Sequence, residues 1–232
     1  MFLKNKRKTI FTGHYGSGKT EIALNFALGL KKDPHKEVTL IDLDLVNPYF
    51  RSQEAKKILE EKGIRTIVPP EEMHSSDLPI IVREAFEAFS LSEGYLIIDV
   101  GGDDQGVLAL GQFRQWLNEG EYDFWLVVNP YRPFNDRISG IFESCQRIET
   151  ASRLRLTGLI SNPHLGRETT PEIIAEGHTE VIKAAEALKL PVKFLTVHEK
   201  FINKIDSEKF KQTPLFPINI LVYPDWLSDD DQ

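Results

Sequence analysis

The chain has only one cysteine, Cys145, so neither an internal disulfide nor a multi-thiolate metal site can be built from its own residues. Set in a helical pattern, that thiol reads as a small buried apolar residue. No stretch approaches the roughly 18 apolar residues that a membrane span needs, and the opening MFLKNKRKTIFTG has too few apolar residues after its charges for a secretory core. The expectation is a cytoplasmic chain without a membrane role, and its acidic ending, Asp225 to Gln232, is no basic amphipathic anchor. Positive charge is in the minority: Lys plus Arg number 28 against 35 for Asp plus Glu, a net charge of −7. With no long basic run, nucleic acid is not an expected partner. The histidines His14, His35, His74, His164, His178 and His198 show no close ligand spacing, so zinc is not expected either.

What the chain does have is length and apolar content for a two-sided core: 232 residues, 41% hydrophobic, read as one domain over 1–232. Short β-branched runs alternate with helical patterns, as a parallel sheet with crossover helices requires. Strands are expected over Thr9 to Thr12, Glu37 to Asp42, Ile64 to Val68, Tyr95 to Asp99, Phe124 to Asn129, Leu156 to Ser161 and Val192 to Val197. In the first helix Ile22, Phe26 and Leu30 recur at i, i+4 and i+8, with Asp33-Pro34 as the stop. Other helical patterns run about Arg51 to Lys62, Leu78 to Phe89, Gly106 to Leu117, Asp136 to Arg153 and Pro171 to Leu188. The stretch 198–232, interrupted by Pro214, Pro217 and Pro224, reads as an irregular appendage.

The strongest local signal follows the first strand. Gly13-His14-Tyr15-Gly16-Ser17-Gly18-Lys19-Thr20 matches G-x-x-x-x-G-K-[ST] and opens the first helix. Glycines let the backbone curl with its N–H groups facing phosphate oxygens, at distances a Cβ would obstruct. Lys19 is then placed to neutralise the β and γ phosphates, and Thr20 to offer its hydroxyl to Mg²⁺. The fold class implied is α/β of the P-loop NTPase type: a mostly parallel twisted sheet of about seven strands with helices on both faces.

Two strand ends supply carboxylates. The second strand closes on Asp42-Leu43-Asp44, and the fourth on Asp99, followed by Val100-Gly101-Gly102. Ligands sit beyond the carboxyl ends of strands in an open parallel sheet, which brings these residues beside the phosphate loop. Asp99 and Asp42 are candidates for the metal, Asp44 for orienting the attacking water, and Gly102 for sensing the γ-phosphate. The roles of Asp42 and Asp44 are interchangeable at this level.

These motifs together resemble the deviant Walker A ATPases of the MinD, ParA, ArsA and nitrogenase iron-protein group. The similarity runs through Gly13 to Thr20, Asp42-Leu43-Asp44, Asp99 to Gly102 and Ser161-Asn162-Pro163. It implies ATP held between two face-to-face subunits, with slow hydrolysis acting as a dimer or partner switch. It also implies that Asn162 hydrogen-bonds adenine, and with it ATP rather than GTP. Where the family has a second lysine reaching the partner's phosphates, this sequence has His14, mostly neutral near pH 7. Arg51 and Arg132 are candidates to replace that charge. Two other readings compete with the switch. One is a metabolic kinase or ligase of the dethiobiotin synthetase type, with an acceptor pocket near Tyr49 to Arg51 and the loop after Asn129; the other is a nucleotide-binding module that does not hydrolyse.

Overall fold

Ile10 and Phe11, consecutive on β1 (Lys8–Thr12), are both wholly buried, yet they belong to separate cores on opposite sides of one sheet. The same alternation holds for Ile98 and Ile97 on β4 (Tyr95–Val100) and for Phe124 and Trp125 on β5 (Tyr122–Val128). Strands apolar on both faces must be covered by helices on both faces. The structure, a computed structural model, describes residues 5–43, 53–68, 83–205, 210 and 212–221.

The other strands are β2 (Val38–Leu43), β3 (Arg65–Ile67), β6 (Gly158–Ser161), β7 (Val192–His198) and β8 (Leu215–Ile218). All eight form one parallel sheet in the order β3-β2-β4-β1-β5-β6-β7-β8. The helices are α1 (Lys19–Lys31), α2 (Gln53–Glu61), α3 (Arg83–Ser90), α4 (Asp104–Gly111), α5 (Ile138–Ser152), α6 (Pro171–Leu188) and α7 (Glu199–Ile202). One core gathers residues of α3, α4, α5 and α6, and the other is built on α1 with Leu59 of α2. On α1 the predicted stripe Ile22, Phe26 and Leu30 is at most 1% exposed.

The eighth strand corrects the expectation of about seven strands and an irregular C-terminal stretch. Phe216 on β8 stacks near Phe194 and Phe26, with ring centroids 4.9 and 5.9 Å away. Its neighbour Pro217 lacks an N–H and hides the strand from a pattern reading, but an edge strand tolerates a missing donor. Cys145 lies in the core as expected, and burial, reinforced by Glu149, pushes its thiol up to about 12. Among the described residues no helix is long and apolar enough to cross a membrane.

Candidate functional site

Between β1 and α1 the backbone turns twice into the left-handed region, at Gly16 (φ 75°) and Gly18 (φ 87°), where a side chain would add strain. Gly18 is the N-cap of α1 and supplies no side chain to bind the first amides of the helix. Those N–H groups therefore get no cap from Gly18, and with the positive end of the helix dipole they make the kind of helix start that receives an anion. Lys19, only 7% exposed, begins the helix directly behind them. Ser17 is wholly buried with no hydrogen-bond partner for its hydroxyl. Tyr15, by contrast, points outward and is 64% exposed.

The carboxylates arrive by register. Asp42 on β2 pairs directly with Asp99 on β4, so their backbones lie about 4.8 Å apart, and both side chains are buried. Thr20 donates its hydroxyl proton to Asp99 Oδ2 at 2.6 Å, joining the phosphate loop to that strand end. Gly102 then brings the following turn against the loop: a Cβ there would collide with the Gly13 carbonyl and approach His14 N to 2.9 Å. Two buried carboxylates and a hydroxyl at a helix N-terminus are hard oxygen donors, which fits Mg²⁺. Asp44 and Arg51, and the acceptor stretch from Tyr49, lie outside the described residues.

His14 does not extend from the loop as a lysine would. Its Nε2 meets Ser144 Oγ at 2.8 Å and Arg147 Nη2 at 3.3 Å, while its ring stacks on Phe134 with centroids 5.2 Å apart. Burial, and then the Arg147 charge, lower its pKa, so the ring is held neutral. Arg132 lies beside the crest of the loop, where a Cβ on Gly16 would come within 3.3 Å of its Nε.

Asn162, for which the resemblance implies a base contact, bonds to the phosphate loop itself. It is 4% exposed, donates Nδ2 to the Ser17 carbonyl at 2.6 Å and accepts from Thr196 Oγ1 at its Oδ1. Both ends of the amide are engaged within the protein, so here it supports the loop.

Three further residues join the site that sequence patterns did not single out. Asn129, wholly buried at the end of β5, donates to the His164 carbonyl at 3.0 Å and accepts from Tyr131 N at 3.2 Å, tying two loops together. His164 stands near Gly18, its pKa driven down to about 4 by burial and then by Arg132. Arg147, midway along α5, donates Nη2 to the Gly102 carbonyl at 3.0 Å. Nothing local marks these positions, because each is brought to the loop by the packing of a later element.

No protein-family profile matches the chain, and no curated protein does. Solved structures match it in fold. FtsY, a cell division protein of Thermotoga maritima, aligns with a TM-score of 0.57 at 20% identity over 86% of this chain and 65% of its own. FlhF complexed with GTP and Mg²⁺ aligns at 0.53 and 18%, over 83% and 66%. Chloroplast FtsY from Physcomitrella patens aligns at 0.57 and 14%, over 86% and 61%. The chain thus spans less than two thirds of these neighbours' lengths. With the parallel eight-stranded sheet, the likeness establishes the fold, an α/β sheet with helices on both faces like that of FtsY and FlhF. The MinD and ParA resemblance rests on the sequence motifs alone.

Proposed function

We propose that the chain, acting as one unit over 1–232, is a Mg-ATP-binding P-loop ATPase of the MinD and ParA type, whose slow hydrolysis resets a dimer or a contact with a protein partner. The observation that carries this reading is the 2.6 Å bond from Thr20 to Asp99 at the foot of a loop whose helix N-terminus has no side-chain cap. Amides of Gly13 to Thr20 cradle the phosphates of ATP and, after hydrolysis, of ADP, and Lys19 neutralises their charge. Thr20, Asp99 and Asp42 would hold Mg²⁺, which would supply further positive charge to the phosphates. Gly102, pressed on Gly13, senses the terminal phosphate, and Asp44 orients the attacking water, with Asp42 as its substitute in that role.

ATP is the nucleotide that the resemblance to ATPases supports, whereas Asn203-Lys204-Ile205-Asp206 spells the Asn-Lys-x-Asp pattern of guanine recognition. FlhF binds GTP with Mg²⁺, so GTP belongs in the same experiment. Support for the switch comes from large apolar side chains left in solvent at the loop: Tyr15 within it (64% exposed) and Phe134 (62%), which stacks on His14. The test follows phosphate release and oligomeric state together, in Mg-ATP and in Mg-GTP. Slow release with nucleotide-dependent dimerisation, stronger for ATP, is expected. A chain that stays monomeric and releases no phosphate from either nucleotide defeats the proposal.

A further inference from the structure

An anion site that places one cation, Lys19, at the start of its helix leaves the opposite lip of the loop to be balanced. The residue on that lip within the loop is His14, a histidine whose pKa is lowered by burial and then by Arg147, in place of a fixed cation. Its neighbour there is a full positive charge from elsewhere in the chain: Arg147 Nη2 lies 3.3 Å from His14 Nε2 and donates to Gly102 O at 3.0 Å. Gly102 itself touches the backbone of Gly13 and His14. The guanidinium therefore stands where the phosphate loop meets the turn after Asp99.

Local geometry keeps it there. Arg147 and Ser144 are three residues apart on α5 and share a face, and Ser144 is fastened to His14 at 2.8 Å. The stem of Arg147 lies at the surface, so its head can turn without disturbing the core. A phosphate oxygen is charged and accepts two parallel N–H groups from a guanidinium, which makes it a stronger partner than a neutral carbonyl such as Gly102 O.

We propose that Arg147 is the cation that, within the same chain, binds the terminal phosphate of a nucleoside triphosphate and so lets one subunit distinguish triphosphate from diphosphate. This rests on the nucleotide site proposed above. Arg132, over Gly16, belongs to the crest of the loop and does not replace it.

Calorimetry of the full chain in Mg²⁺ tests this with the non-hydrolysable analogues AMPPNP and GMPPNP against ADP and GDP. Arg147→Ala is expected to weaken the preferred triphosphate analogue about tenfold or more while leaving the matching diphosphate within about twofold. Arg147→Lys recovers part of the loss, and Arg147→Gln, which keeps the stem, repeats it if the alanine variant proves unstable in a melting curve. Equal weakening of both nucleotides, no change in either, or a parent without triphosphate preference overturns the inference. Lys19→Ala separates it from the reading beneath: if that variant binds nucleotide like the parent, the phosphate site itself is wrong. If it does not bind while Arg147→Ala binds triphosphate normally, only the role of Arg147 falls.

Discussion

Asn162 Nδ2 donates to the carbonyl of Ser17 at 2.6 Å, which fastens the end of β6 to the underside of the phosphate loop. Parallel strands brought side by side by the sheet order thus become a mechanical support for the loop, through β5 lying between β1 and β6. The sequence resemblance and the geometry give this residue different tasks, and one substitution tells them apart.

Asn162→Ala leaves the buried Ser17 carbonyl without its donor and takes an acceptor from Thr196. Thr196 still reaches the Ser161 carbonyl at 3.1 Å, so the cost is that of one buried group, about 1–3 kcal/mol in urea unfolding. As a loop support, it should weaken ATP and GTP binding to the same extent. Selective loss of ATP affinity, with GTP unchanged, would restore Asn162 to the adenine base.

Asp99 and Asp42 stand side by side, buried, with the Thr20 hydroxyl on Asp99. Adjacent buried carboxylates repel each other and gain most from a shared cation. Asp99→Asn keeps the shape and removes a charge. In the parent, chelating Mg²⁺ with EDTA should weaken triphosphate binding about tenfold or more; in the variant, binding with and without Mg²⁺ should be nearly the same. An undiminished Mg²⁺ effect in calorimetry rules Asp99 out of the metal site.

Much of this was legible before the structure because it is local. The loop Gly13 to Thr20 is contiguous, and Asp42 and Asp99 each lie at the end of a short apolar run, so the reading of those runs as parallel strands and the strand-end placement suffice to bring them together. β8 was not legible: its four residues include Pro217, and its place is set by contacts of Phe216 with Phe194 and Phe26 rather than by its own pattern. Arg147 was not legible either, since its approach to Gly102 spans 45 positions and depends on how α5 lies against the sheet. His14 stood out as a missing lysine, but its partners Ser144 and Phe134 come from a later turn and helix.

Ile138 and Phe142 lie one helical turn apart on α5, 40% and 47% exposed, and Phe134 just before them stacks on His14. If nucleotide closes two subunits over this side, Phe142→Glu should leave the fold intact, because the side chain already faces water. Light scattering in Mg-ATP should then report a monomer where the parent forms a dimer. A variant that dimerises like the parent removes this surface from the interface.

His178 is 6% exposed, with Nδ1 2.9 Å from Ser161 Oγ, and burial drives its pKa down to about 4. In the unfolded chain the ring takes up a proton as pH falls through about 6.5, whereas the folded chain refuses it until about 4. The depressed pKa therefore costs nothing above pH 6.5, and stability is lost as pH falls from there towards 4. While only the unfolded ring is protonated, the loss is about 1.4 kcal/mol per pH unit for this one group. His164 is lowered to about 4 as well and contributes in the same direction. Carboxylates titrate in the same window, so the comparison must be between two chains that share them. Urea unfolding at pH 7 and pH 5 should show His178→Gln losing about 1–2 kcal/mol less than the parent between those two values. Equal losses in the two proteins would mean that the folded chain already accepts the proton at His178, and that its burial beside Ser161 and Phe210 does not keep the ring neutral.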